Sequence, residues 1–401
     1  MNIAVLGTLD SKGHEHAYVA EIIRQQGHTP LLIDVGSYAD PQVTPDYTRF
    51  DVAAAAGKDL TALYEKQDRG ECVVAISEAV PIFVAQLQAD GKIDGIISLG
   101  GGGGTAIGTA AMRALPIGFP KLMVSTLASG NTAHYVGTKD IVMMPSIVDV
   151  AGLNSISRRL FAQAAGAICG MVATKVQTGT SSAKPLVVAS MFGNTTDCIN
   201  KATEVLEAAG YEVLVFHATG MGGRTMESLI ESGMVAGVLD LTTTEWADEV
   251  TGATLSAGPT RMDAMAKAQV PAVIAPGCLD MANFGERDSV PAQYEGRTFY
   301  IHNPQVTLMR TNAEECAQLG QIIADKANAN PAATRMLLPL QGISVVAQQG
   351  QPFYDAAADE ALFTAVRTHY QGTVTELDTD INDEQFAITA AEALIDLLQG
   401  A

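Results

Sequence analysis

Three observations predict an α/β fold. Short β-branched runs alternate with longer helical patterns, the second half repeats the pattern of the first, and glycine-rich turns sit where apolar runs end. Together they predict two Rossmann-like, doubly wound parallel-sheet subdomains with a cleft between them. In chain order, "NIAVLG" reads as the first strand, Glu15 to Gln26 as its crossover helix, and "TPLLIDVG" as the second strand. Gly27 just past the helix is a C-cap signal. "DGIISLG" then reads as a strand, a helix follows from Thr105, and "FPKLMVST" is the next strand. Asn154 to Lys175 reads as a long helix opening "NSISRRL", and the small polar stretch Gln177 to Lys184 reads as the linker. Subdomains of residues 1–180 and 181–401 follow.

Past the linker the opening pattern returns. "KPLVVASMFGNTTDCINKATEVLEAAGYEVLVFHATG" echoes "NIAVLGTLDSKGHEHAYVAEIIRQQGHTPLLIDVG", and the register sets "AGYEVLVFH" against "QGHTPLLID". Likewise "QVPAVIAPGCLDMANFG" echoes "GFPKLMVSTLASGN". A single six-stranded fold with a long insertion explains these echoes less economically.

Composition narrows the function. The 401 residues carry 47% hydrophobic and 17% charged side chains, enough to offset ordering entropy by burial. A net charge of −20 with no basic run argues against nucleic acid as a partner. No positive leader precedes the first strand, and no apolar stretch reads as a span of roughly 18 residues, so a cytoplasmic protein without membrane contact is expected. The five cysteines stand apart without a CxxC pair, as buried or incidental thiols in a reducing compartment do.

Ligands of open α/β sheets sit beyond the carboxyl ends of the strands, so the loops there are the candidates. The first, Gly7, Thr8, Asp10, Ser11, Lys12 and Gly13, offers amides at a helix start, hydroxyls, one ammonium and a carboxylate that could hold a metal or cap the helix. The second is the run Gly100, Gly101, Gly102, Gly103 and Gly104 with Thr105, expected to use positive φ and to let backbone approach an anion closely. Thr105 is expected to cap the following helix or touch a phosphate. Gly101, Gly103 and Ala106 fit G-x-G-x-x-A weakly, because no acidic residue ends the next strand; a Walker A loop is absent. The third loop offers Ser129, Gly130 and Asn131. Asp34, at the end of the second strand, is a candidate for a ribose.

In the second half, Thr244, Glu245, Asp280, Asn283 and His302 fall in expected loops and could form a substrate-facing wall, with Glu245, Asp280 and His302 in catalytic roles. Trp246 reads as core. His14 and His16 share no helical face and read as surface residues, not zinc ligands; no metal ligand set is assigned.

The segments "GTLDSKG", "SLGGGGGT", "VGTKDIVMMPSIVDVAGLNSISR", "TEWADE", "SAGPTRMDA", "CLDMANFG", "HNPQVTLMRT" and "GQPFYDAAADEALF" span nearly the whole chain. On them the sequence resembles an uncharacterised, mostly bacterial family that shares the ATP-binding N-terminal domain of a plant tobamovirus-resistance protein. Ser11 stands where that family has threonine, which keeps the hydroxyl. The plant relative carries a further barrel-type domain, and antiviral activity is not implied. The resemblance implies ATP, here expected with Mg²⁺, two Rossmann-like subdomains and a homodimer. Three classes of function remain: an enzyme using ATP on a small metabolite, a non-catalytic ATP-dependent binding module, and, least supported, a nicotinamide-dependent oxidoreductase.

Overall fold

The computed structural model describes residues 1–37, 39–61, 69–174 and 184–400; of the expected linker, Gln177–Ala183 lie outside the described residues. Two compact units result, Met1–Thr178 and Gly179–Ala401.

The first unit runs β1 (Asn2–Gly7), α1 (Leu9–Gln25), β2 (Thr29–Asp34), α2 (Arg49–Ala55), α3 (Arg69–Ala89), β3 (Gly95–Gly100), α4 (Gly102–Arg113), β4 (Lys121–Ser125), α5 (Ala133–Val136), β5 (Val142–Pro145) and α6 (Ser155–Ala173). Its five strands are parallel in the order β2-β1-β3-β4-β5. Alternate residues of each strand feed opposite faces. Ala4, Leu6 and Ile96 pack with residues of α3 and α4, while Ile3, Val5, Ile97 and Leu99 pack with α1 and α6. Every residue of β3 and β4 is buried, as a sheet covered on both faces requires.

Gly70–Ala89 in α3 corrects one reading of the sequence, being long and apolar enough by length and composition to cross a membrane. Here Ile76, Ala79, Val80, Val84 and Leu87 instead build the core against the sheet.

The second unit runs β6 (Leu186–Met191), α7 (Thr196–Ala208), β7 (Glu212–His217), α8 (Met221–Glu231), β8 (Gly237–Thr242), α9 (Glu245–Thr251), α10 (Asp263–Ala268), β9 (Ala272–Gly277), β10 (Met281–Phe284), β11 (Phe299–Asn303), β12 (Val306–Arg310), α11 (Ala313–Asn328), β13 (Thr334–Pro339), α12 (Ala356–His369), β14 (Thr373–Leu377) and α13 (Glu384–Gln399). Its main sheet is parallel in the order β14-β13-β9-β8-β6-β7. From the β7 edge this repeats the first unit's order, with β7-β6-β8-β9 in place of β2-β1-β3-β4. The echoed segments occupy equivalent places: β6-α7-β7 matches β1-α1-β2, and β9 matches β4. Gly27 and Gly210, just past the matched helices, are both left-handed, at φ 82° and 96°. An antiparallel sheet, β10-β12-β11, interrupts the second unit between β9 and β13.

Helix starts lie earlier than the hydrophobic period indicated. α1 begins at Leu9, with a non-helical residue at Lys12 (φ −134°), so the Gly7–Gly13 turn is largely helix. α4 begins at Gly102, and no residue from Gly100 to Gly104 has positive φ, which overturns the expected left-handed turn. Close packing explains part of the run instead. A Cβ on Gly100 would lie 2.7 Å from the Gly104 Cα, and one on Gly108 would lie 2.7 Å from the Ser98 Oγ, so these glycines let α4 sit tightly on β3. Among the described residues, nothing lies within 4 Å of a Cβ built on Gly102 or Gly103.

That contrast gives a stability test. Gly100→Ala is expected to cost about 1–3 kcal/mol by overpacking. Gly102→Ala, in open helical backbone, is expected to gain about 0.4–1 kcal/mol. Denaturant unfolding of the two variants checks this, and equal effects would refute the assignment.

Candidate functional site

The order β2-β1-β3-β4-β5 places a switch point between β1 and β3, where the connections leave in opposite directions and a crevice opens at the carboxyl edge. The turns after β1 and β3 flank it. At the second turn the first intrahelical bond runs from the Thr105 amide to the Gly101 carbonyl at 2.8 Å. The Gly102, Gly103 and Gly104 amides therefore have no acceptor within the helix, at the end where aligned peptides place about half a positive charge. Gly102 and Gly103 are exposed.

Neighbouring loops are tied to this turn. The Thr126 amide donates to the Gly100 carbonyl at 3.2 Å, and the Ser146 amide donates to the Ser125 carbonyl at 3.1 Å. Lys12 Nζ donates to the Val150 carbonyl, and the Gly152 amide donates to Glu15 Oε1. Exposed Ser129 lines a 380 Å³ pocket with Thr126, Pro145, Ser146, Ile147, Val148 and Asp149. Gly130 and Asn131 are also exposed, and Asn131 Oδ1 accepts the Ala133 amide at 3.1 Å.

Other expected roles in this unit are corrected. Thr105 lies one turn inside α4, fully buried, and its hydroxyl meets Ser125 Oγ at 2.6 Å, so it neither caps the helix nor faces the crevice. Asp34 is buried against Arg49 (Nε–Oδ2 2.7 Å) and accepts the Leu9 and Gly36 amides, so its carboxylate organises the β1 and β2 turns and is not open to a ribose. Asp10 accepts the Ser37 amide at 3.1 Å, bracing the turn after β2. Ser11 stays exposed, its hydroxyl on the Thr8 hydroxyl at 3.1 Å. His16 is fully buried, unlike exposed His14. Its ring fills the space over Gly7, where a Cβ would come within 2.0 Å of Nε2, and burial lowers its pKa.

The second unit does not assemble the expected wall. Glu245 is buried and spent: Oε2 pairs with Arg261 Nε at 2.7 Å, while Oε1 accepts the Gly220 and Gly223 amides at 2.7 and 3.0 Å. Arg261, 1% exposed, also grips both oxygens of Asp240 at 2.7 Å and reaches Glu227 at 3.1 Å. Ser190 on β6 donates to Asp240 on β8 at 2.6 Å, so this cluster spans the unit's own β6/β8 switch point. Thr244 is buried, and Trp246 is core at 4% exposure. Asn283 lies within β10 and its amides meet buried Asp248, whose carboxyl burial raises to about 7 against the pull of those bonds. Asp280 is fully buried, accepts the Ser344 hydroxyl at 2.8 Å, and is pushed up to about 6 by burial despite nearby Arg310. His302 sits on the exposed strand β11, away from any expected loop.

Arg261 in "SAGPTRMDA", Asp240 within the apolar strand β8 and Ile147 in "VGTKDIVMMPSIVDVAGLNSISR" carry no local sequence signal for the places they take, the partners of the first two being distant in the chain.

Residues 1–177 match the N-terminal domain, and residues 184–398 the C-terminal domain, of an uncharacterised protein family (UPF0261). A UPF0261 protein of Clostridium tetani is 45% identical over 400 residues, covering 99% of each chain. The ToMV susceptible protein tm-1(GCR26) of Solanum lycopersicum is 33% identical over 419 residues, covering 98% of this chain and 55% of the tomato protein. Among solved structures, a putative UDP-N-acetylglucosamine 2-epimerase from Listeria monocytogenes aligns with 68% of this chain and 78% of its own. Its TM-score is 0.23 at 10% identity, a likeness that carries no argument.

Proposed function

Since the chain belongs to the uncharacterised protein family UPF0261, we propose from its own geometry that it binds nucleotide, holding the phosphates of ATP over the Gly101–Gly104 turn. One observation carries the reading: Gly102 and Gly103 have open space where a side chain would stand, at a helix start beside the β1/β3 switch point. Gly100 and Gly108 serve the packing of α4 on β3, whereas among the described residues Gly102 and Gly103 have no internal contact that requires them. Bare amides without helical acceptors suit a polyanion there. Thr126 offers a hydroxyl beside Gly101 and Ser129 another in the adjoining pocket, and Mg²⁺ would arrive on the nucleotide's phosphates.

Two uses of such a site divide the proposal. An enzyme acting on a small metabolite needs an acid, base or nucleophile with access to substrate. Burial of Glu245 and Asp280 in bonds of their own, with His302 outside, favours instead a module whose partner binding follows nucleotide occupancy. Turnover of ATP in a metabolite screen would decide for the enzyme.

Isothermal titration with MgATP tests the site. Binding is expected at millimolar nucleotide or below, with a loss of about tenfold or more in the Gly102→Leu/Gly103→Leu double variant. No heat from the wild type, or an unchanged affinity in the variant, would overturn the assignment.

A further inference from the structure

We propose that the pocket between the β4 and β5 turns receives the ring system of the bound nucleotide, and that Ile147 grips it and sets the preference for a nucleoside triphosphate over bare triphosphate. The proposal rests on the nucleotide reading above and extends it from the phosphates to the base.

Ile147 is a β-branched residue at φ 62°, a region such side chains avoid. The Val148 amide donates to the Ser146 carbonyl at 2.7 Å, closing a three-residue turn of the uncommon positive-φ kind around Ile147. Ser146 is itself pinned: its amide holds the Ser125 carbonyl on β4, and its hydroxyl donates to the Val148 carbonyl at 2.6 Å. Glycine would take this backbone without strain. Packing within its own unit does not explain isoleucine either, because Ile147 is 74% exposed. Contact with a group that the first unit does not itself supply accounts for an apolar side chain held out at the rim of a polar pocket.

The pocket's position says what that is. Thr126 lines it, and the Thr126 Oγ1 lies 3.8 Å from a Cβ built on Gly101, so the pocket adjoins the glycine turn directly. From β3 to β5 is two strand spacings, roughly 10 Å, within the span of an extended nucleoside triphosphate whose phosphates lie at β3. Its 380 Å³ lies in the range of small-ligand sites. Thr126, Ser129 and Asp149 supply donors and an acceptor for the edges of a heterocycle, and Ile147 supplies the apolar contact for its face.

Calorimetric titration of the full chain with MgATP and with inorganic tripolyphosphate tests this, using the wild type, Ile147→Ala and Ile147→Gly. The wild type is expected to prefer ATP, and both variants to bind ATP about tenfold more weakly while their tripolyphosphate affinity holds. Ile147→Gly relieves the backbone strain, so its melting temperature should not fall, which separates lost contact from lost folding. If ATP and tripolyphosphate bind alike and neither variant changes ATP affinity, the ring site is refuted while phosphate binding stands. A loss that is equal for both ligands also refutes it. No binding of either ligand by the wild type removes the nucleotide reading and this proposal with it.

Discussion

Replacing Arg261 by methionine is expected to lower the stability of the second unit by about 3–5 kcal/mol, the cost of leaving buried charges without their partner. The guanidinium is 1% exposed and serves Asp240, Glu245 and Glu227 together. Without it, Asp240 on β8 and Glu245 at the start of α9 face one another with no countercharge. Glu245 also holds the Gly220 and Gly223 amides, so its repulsion would strain the turn into α8. Arg261→Lys should fall between, since an ammonium keeps the charge and loses the two-pronged grip on Asp240. Urea unfolding read by circular dichroism measures both variants. A loss below about 1 kcal/mol for Arg261→Met would mean that the carboxylates find other partners or protons.

A second large effect is expected from pH. Burial raises the Asp248 carboxyl to about 7 from the ordinary aspartate value of 3.8. Between these values the folded chain keeps a proton that the unfolded chain has released. Stability from this group is therefore fully present below about pH 4 and is lost as pH rises through about 7. At about 1.4 kcal/mol per unit the loss is at most about 4–5 kcal/mol. Asp248→Asn cannot titrate, so the wild type's stability relative to this variant should decline across that window. Parallel stability curves for the two proteins from pH 4 to pH 8 would contradict the assignment. Asp280, raised to about 6 by burial, and Glu227, also raised by burial, act in the same direction within the second unit, whereas buried His16 in the first unit, its pKa lowered by burial, costs stability as pH falls.

The sequence made the parallel sheets and the internal repeat legible because both are local or periodic. Apolar runs such as "GIISLG" mark buried strands, and Gly27 and Gly210 mark helix ends through one-residue backbone geometry. Asn154 likewise announces α6, where its side chain accepts the Ile156 and Ser157 amides. Pairings between distant residues left no such trace. Asp34 reads as a lone acid at a strand end until Arg49 is seen beside it, and Glu245 reads as a candidate catalyst until Arg261 arrives sixteen positions later. His16 reads as a surface residue on its spacing from His14, yet Gly7 leaves room for the ring in the interior. "GCLDMANFG" and "HNPQVTLMR" read as loops because their polar residues hide the short strands β10 and β12. At the glycine run, spacing located the turn, but only the space around each residue separated glycines needed for packing from Gly102 and Gly103.

The excursion between β9 and β13 also bears on how the chain folds. Ala272 on β9 pairs with Thr334 on β13, so during synthesis the outer edge of β9 waits for a partner made later. At 5–20 residues per second, the 62 positions from 272 to 334 take roughly 3–12 s to appear. For that interval an apolar strand stands unpaired on one side, open to association with other nascent chains. Cell-free synthesis of the chain should accordingly lose yield to aggregation, and a holding chaperone present during translation should raise it.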